Sequence, residues 1–145
     1  MAATAEVPLA VQAGAMDAME VKLDHTIVLA PDKLSSALFL GYILGRPYTG
    51  MFARFAPVKL DDELCLDYAD AENDDFERRT FTLLVSDDEF DGIRGRLETE
   101  RVPFGSELEQ IGNKQLNNRG GGRGLFFKDP NGHIFEITTV PYQMI

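Results

Sequence analysis

The chain has 145 residues, one cysteine and a formal net charge of −10. That length suits one domain with its own core, and the lone Cys65 excludes an internal disulfide framework and fits a reducing cytoplasm. Acidic runs at 61–63, 70–77 and 87–91 repel phosphate backbones, which argues against nucleic-acid binding. No apolar run approaches the roughly 20 residues of a membrane-spanning helix.

Residues 1–20 are rich in Ala, Val and Met but lack a basic start, which argues against a signal peptide. They read as a flexible tail or an arm onto a partner subunit, with a single domain following over 21–142. From Val21 to Leu29 the pattern alternates, so that Val21, Leu23, His25, Ile27 and Leu29 share one strand face. Asp32 after Pro31 is a helix N-cap, and the helix runs over 33–44 with Leu34 and Leu38 on its apolar side. Gly45 is its stop. Strands are expected over 51–58 and 63–69.

After a polar linker at 70–78 the pattern starts again. Thr80 to Val85 is a strand, Ser86-Asp-Asp-Glu89 is a capping box, and Phe90, Ile93 and Leu97 give helical spacing. Residues 105–123 form a long loop, with a short strand at its start. Leu125–Lys128 and His133–Thr139 close the chain as a hairpin across Asp129-Pro-Asn-Gly132, a turn in which Pro suits position i+1. His25 precedes Asp32 by the interval that separates Thr80 from Asp87. The chain is therefore two similar modules, about 21–70 and 79–140.

Glu136 is a carboxylate inside an apolar strand, costly there unless it meets a metal, a cation or water. Parity puts Cys65 with Asp67, Thr80 with Thr82, and Glu136 with Thr138, each pair on one face of its strand. Leu64, Leu66, Tyr68, Phe81, Leu83, Val85, Phe135 and Ile137 occupy the opposite faces, as expected of a sheet with one face on helices and one lining a wet cavity.

Leu23-Asp-His25-Thr-Ile-Val, Asp32 opening a helix that ends at Gly45, and Lys128-Asp-Pro-Asn-Gly-His-Ile-Phe-Glu136-Ile together resemble the vicinal oxygen chelate superfamily. That group includes glyoxalase I, fosfomycin-resistance enzymes, extradiol dioxygenases and bleomycin-binding proteins. The resemblance covers roughly 21–142, and Gly120-Gly-Gly-Arg-Gly-Leu-Phe-Phe is similar to uncharacterised glyoxalase-like members. It implies an α+β fold of two βαβββ modules, forming a curved mixed sheet around a cavity. It also implies pairing, with strands of both chains shaping each cavity, so a homodimer is expected.

The resemblance places metal ligands at one position on each of four strands. Here these positions hold His25, Cys65, Thr80 and Glu136. Threonine is a poor ligand for Zn, Fe, Ni or Mn. The expected set is therefore His25, Glu136 and Cys65 as ligands of a divalent ion, with Glu136 and His25 also in catalytic roles. Asp67, Thr80, Phe55 and Arg123 are expected to line the substrate pocket.

Each has a plainer reading. His25 also suits a hydrogen-bonded core histidine, Glu136 a structural ion pair with Arg54 or Arg79, and Cys65 a small buried hydrophobe. Arg119 and Arg123 could clamp a substrate carboxylate, but exposed side chains on a mobile loop are the default. His133 reads as structural.

The resemblance implies a lyase, isomerase or dioxygenase acting on a small, vicinally oxygenated molecule. Two of the four ligand positions depart from glyoxalase I. An extradiol site needs two histidines and a carboxylate, and His25 and His133 are misplaced for it. The alternative is a metal-free pocket that sequesters a small molecule, walled by aromatics such as Phe55 and Tyr68. A third reading is an accessory subunit with a vestigial pocket.

Overall fold

A computed structural model describes residues 20–73 and 76–141. The expected tail therefore lies outside the described residues, apart from Glu20. Strand β1 (His25–Ala30) leads into helix α1 (Lys33–Leu44), then β2 (Ala56–Lys59) and β3 (Cys65–Asp70). The second module is β4 (Thr80–Leu84), helix α2 (Asp87–Thr99), β5 (Phe104–Gly105), β6 (Gly124–Lys128) and β7 (Ile134–Thr138). Short 3-10 turns lie at Leu108–Gln110 and Arg119–Gly121. No helix among the described residues is long and apolar enough to cross a membrane.

Both helices start and stop as their sequences direct. The Asp32 carboxylate accepts from the N–H groups of Leu34 and Ser35 at 3.2 and 3.3 Å, and Gly45 ends α1 at φ 70°, where a side chain would be strained. Ser86 Oγ accepts from the Glu89 N–H at 3.1 Å. The buried face of α2 is the expected Phe90, Ile93 and Leu97. The buried face of α1 is not the expected one: Ala37, Leu40, Ile43 and Leu44 face inward, while Leu34 and Leu38 are exposed. That helix is apolar on several sides, so periodicity does not select the face.

The α+β class and the two-module plan are as expected, but the strands form two sheets rather than one. The first has the order β1-β3-β2 and the second β4-β7-β6-β5. In each, the module's first strand runs parallel to its last, β1 beside β3 and β4 beside β7. The second module has four strands; the first has three. Its expected strand at 51–58 breaks at a tight turn, where Phe52 and Phe55 exchange backbone hydrogen bonds of 2.9 Å and Ala53 sits at φ 53°.

One hydrophobic core runs under both sheets. Val28, Leu66 and Tyr68 of the first sheet and Leu125, Phe127, Phe135 and Ile137 of the second share one buried cluster with Leu40 and Ile43 of α1 and Phe90, Ile93 and Leu97 of α2. Phe39 on α1 reaches Phe127 with ring centroids 6.2 Å apart. Each such side chain contributes about 1.5–3 kcal/mol on burial.

The hairpin turn of the second module is buried against the first. Asp129 is only 4% exposed. Its Oδ2 accepts from Ser36 Oγ at 2.8 Å and from the Tyr68 hydroxyl at 3.0 Å. Its Oδ1 accepts from the N–H groups of Asn131 and His133 at 3.0 and 2.9 Å. The Asn131 amide donates to Asp32 O and Ser36 Oγ at the start of α1. His133, fully buried, accepts the Arg79 N–H at Nδ1 and so carries its proton at Nε2, which donates to Leu29 O at 2.8 Å. The structural reading of His133 is therefore borne out. The helices also meet directly: Arg96 donates to Ile43 O at 2.8 Å, and Arg46 donates to Glu89 at 2.6 Å.

Two outcomes follow from these contacts. Asp129→Asn places an amide where four donors converge, and is expected to cost about 2–4 kcal/mol of stability, read from the midpoint of urea unfolding. The Arg46 guanidinium holds Glu89 below its ordinary 4.5. A depressed carboxylate stabilises the fold above its unfolded value and loses that contribution as pH falls through the folded one. The wild type is thus expected to exceed Glu89→Gln by about 0.5–1 kcal/mol near neutral pH, a small gap because the pair is part-exposed. Urea unfolding repeated at progressively lower pH, below the ordinary 4.5, should find that gap narrowing.

Candidate functional site

Each sheet has one face on the helices and one face open, and the candidate residues divide between the two open faces. On the first sheet the strand register sets His25 beside Cys65 and Ile27 beside Asp67 on β1 and β3. Lys59 and Pro57 of β2 flank Cys65 and Asp67 on the far side. The expected common face of His25, Ile27 and Leu29 is real, and it is the exposed one, whereas Val28 and Ala30 point into the core.

His25 Nδ1 lies 2.8 Å from Asp24 Oδ2, and that bond raises the imidazole above its ordinary value. Cys65 is half-buried. Burial pushes its thiol above the ordinary 9.0, and the Asp67 charge adds to the shift. An unaided thiol here stays protonated near neutrality; a cation beside it would be needed to hold the thiolate.

On the second sheet, register lines up Gly105, Phe126, Glu136 and Thr82 as one row across β5, β6, β7 and β4. Thr82 Oγ1 donates to Glu136 Oε1 at 2.9 Å. Arg119 Nη1 donates to Glu136 Oε2 at 3.2 Å, while its Nη2 reaches Glu107. The guanidinium also lies 5.4 Å from the Phe126 ring centre. Glu136 is thus an ion-paired carboxylate, and its partner is Arg119 rather than Arg54 or Arg79.

Arg119 does not fit its default reading as a loose, solvated side chain. The glycines that follow it are packed rather than spare: a Cβ at Gly120 would sit 2.8 Å from Val140, and one at Gly122 would sit 2.6 Å from Thr139 Oγ1. Three adjacent glycines beside an arginine were the available signal, because close backbone approach explains them as well as mobility does.

The remaining expected pocket residues separate. Thr80 stands exposed at the start of β4, on the face of Thr82. Asp67 is half-buried on the face of Cys65. Phe55 is half-buried beside the turn, with the Arg54 guanidinium 4.8 Å from its ring centre.

Arg123 requires a correction. It pairs with Asp91 at 2.7 Å and Asp87 at 3.0 Å on α2 and lies 4.5 Å from the Phe90 ring centre. It belongs to the helix side of the sheet and not to the open face, because it is one residue out of phase with Phe126's set. Those carboxylates hold its guanidinium above the ordinary 12.5.

His25 and Cys65 are therefore together, and Glu136 joins Thr82 and Arg119, but the two sets stand on different sheets. Among the described residues no three His, Cys, Asp or Glu side chains gather as a metal site. A groove of about 640 Å³ runs along the open face of β1, lined by Ile27, Leu29, Arg54, Phe76, Glu77 and Arg79. A second cleft of about 450 Å³, between the modules at Leu44, Leu60, Leu64, Val85 and Ile93, holds none of the expected ligands. The groove on the open face is the better candidate for a ligand, since it shares the His25 side of β1.

The chain is similar to the solved structure of oxidase ChaP-H2, with 40% identity, 86% of this chain and 97% of that one covered, and a TM-score of 0.79. The chain belongs to the vicinal oxygen chelate superfamily. Oxidase ChaP-H1 matches at 35% identity, with 86% of this chain and 99% of that one covered and a TM-score of 0.79. A glyoxalase / bleomycin resistance protein from Catenulispora acidiphila shares the fold at 18% identity, covering 83% of this chain and all of its own, with a TM-score of 0.61. No protein-family model matches the sequence. No curated protein matches it either.

The environment of Cys65 yields a measurable outcome. In chain stripped with chelator, alkylation of Cys65 by iodoacetamide is expected to keep accelerating through pH 9.0, with its half-maximal rate above that value. A rate that saturates below pH 9.0 would show that burial does not dominate at this thiol.

Proposed function

We propose that the chain is a small-molecule enzyme of oxidase type that works as a pair of copies. In this reading a divalent ion is held by His25 and Cys65 of one copy and Glu136 of the other. The observation that carries it is the 40% identity with oxidase ChaP-H2 across 97% of that chain. Imidazole, thiolate and carboxylate suit a borderline transition ion. One chain keeps these donors on two open faces, so the set is complete only with a second copy. Phe52, Ile27, Leu29 and Leu84 are large apolar side chains left in water, and burying such side chains favours pairing.

A divalent ion at these donors would supply Lewis acidity toward two adjacent substrate oxygens. The chain's own residues do the rest. The Asp24 bond to Nδ1 orients the His25 ring and leaves Nε2 to face a ligand. Thr82 fixes Glu136 Oε1, so Oε2 is the oxygen that would hold the ion once Arg119 moves aside, and it could take a substrate proton only after leaving the ion. Asp67, Thr80 and Phe55 supply polar and aromatic walls.

A second reading, a metal-free pocket that binds a small molecule, is favoured by Thr80 at the third ligand position, where it offers only a weak donor.

Elemental analysis of untagged protein purified without chelator separates the two readings. About one equivalent of a transition metal per chain is expected, lost in both His25→Ala and Glu136→Gln, with sedimentation as a dimer. Full metal in both variants overturns the ligand set. No metal even after reconstitution favours the second reading, and thermal-shift screening of ligands then follows.

A further inference from the structure

The groove along β1 holds two arginines that the proposed function does not use. Ile27 and Leu29 stand on the exposed face of the strand, about 7 Å apart along it. Phe76 borders the same space, its ring edge-on to buried His133 with centroids 5.6 Å apart. Arg54, Arg79 and Glu77 complete the lining of about 640 Å³, a volume in the range of small-molecule sites.

The backbone of both arginines is tied down. Lys33 Nζ donates to Arg54 O at 2.9 Å, and the Arg79 N–H donates to His133 Nδ1 at 3.0 Å. Their guanidiniums are held more loosely than others in the chain. Arg46, Arg119 and Arg123 each have a carboxylate oxygen within 3.2 Å. Arg79 has only Glu77, at 3.9 Å and largely in solvent. Among the described residues Arg54 forms no ion pair, and its guanidinium rests 4.8 Å from the Phe55 ring centre. The lining therefore carries two positive charges and one negative, in a chain whose net charge is −10.

We infer that this groove binds an aromatic carboxylate, with Arg54 and Arg79 receiving the carboxylate and Ile27, Leu29 and Phe76 receiving the ring system. The inference names a ligand class for the open face of β1 and so rests on the small-molecule reading above, but it needs neither a metal ion nor a second copy. A guanidinium fork matches the two oxygens of a carboxylate, a match that a neutral or cationic ligand forgoes. A rigid fused ring spans Ile27 and Leu29 without freezing rotors, whereas an acyl chain of similar area loses rotamer freedom on binding. Glu77 competes with the ligand for Arg79, and its exposure makes that hold weak.

The test is calorimetric titration of the full chain with 2-naphthoate, its neutral counterpart 2-naphthylmethanol, and decanoate, with thermal midpoints recorded to verify folding of each variant. 2-Naphthoate is expected to bind about tenfold more tightly than 2-naphthylmethanol, and more tightly than decanoate. Arg54→Gln and Arg79→Gln should each weaken 2-naphthoate about three- to tenfold and leave 2-naphthylmethanol unchanged. Glu77→Gln should tighten 2-naphthoate about two- to threefold. Ile27→Gln should weaken both naphthyl probes, which locates them in the groove. Equal binding of the two naphthyl probes, or 2-naphthoate binding indifferent to both arginine substitutions, overturns the anionic class and leaves the small-molecule reading standing if Ile27→Gln still weakens them. Decanoate binding more tightly than 2-naphthoate overturns the aromatic class. No binding of any probe overturns both the ligand class and the small-molecule reading of this groove.

Discussion

A buried carboxylate without a buried cation organises this molecule. Asp129 is tolerated inside because four donors converge on it, two from its own turn and two from the other module. Those donors cannot be replaced piecemeal. Ser36 lies on α1 and Tyr68 on β3, so the Asp129 carboxylate has its full set of donors only when the turn is packed against the first module. The network joins the modules by directed bonds where the apolar core alone would allow sliding. Burial, together with proximity to the Asp129 charge, drives the Tyr68 phenol far above its ordinary range and keeps it a donor.

His133 extends the same constraint toward the open faces. It accepts from the first residue before β4 and donates to the β1 carbonyl of Leu29. His25 lies on β1, and Glu136 follows His133 on β7. The imidazole thus fixes how the strand bearing one expected ligand sits against the module bearing the other, though it faces neither. A histidine of this kind resembles a ligand in sequence and behaves as a bracket in structure. Its burial and its two backbone partners decide the matter.

The two open faces differ in chemical character. His25, Cys65 and Asp67 present an imidazole, a thiol and a carboxylate beside apolar Ile27 and Leu29. The other face presents an already satisfied pair, Glu136 with Arg119, flanked by Thr82 and Phe126. The first face leaves the Cys65 thiol and the Nε2 side of His25 facing outward, whereas on the second the charge of Glu136 is already answered by Arg119.

Much of the fold was legible in the sequence because local chemistry dictates it. Asp32 and Ser86 cap their helices through their own side-chain oxygens, Gly45 alone among its neighbours accepts φ 70°, and strand parity separates Cys65, Asp67, Thr82 and Glu136 from the residues that enter the core. Those features need no knowledge of distant contacts. Three others did need it. The buried face of α1 was hidden because that helix is apolar on more than one side, and only packing under β1–β3 selects Leu40 over Leu38. The partners of Arg119 and Arg123 were hidden because a long side chain can leave either face of its strand or loop; α2 claims one, and Glu107 with Glu136 claims the other. The separation of His25 from Glu136 was hidden most completely, since sequence parity says which face of a strand a residue occupies but not which sheet that strand joins. Hydrogen-bond pairing between distant strands decides that, and it is a property of the folded chain alone.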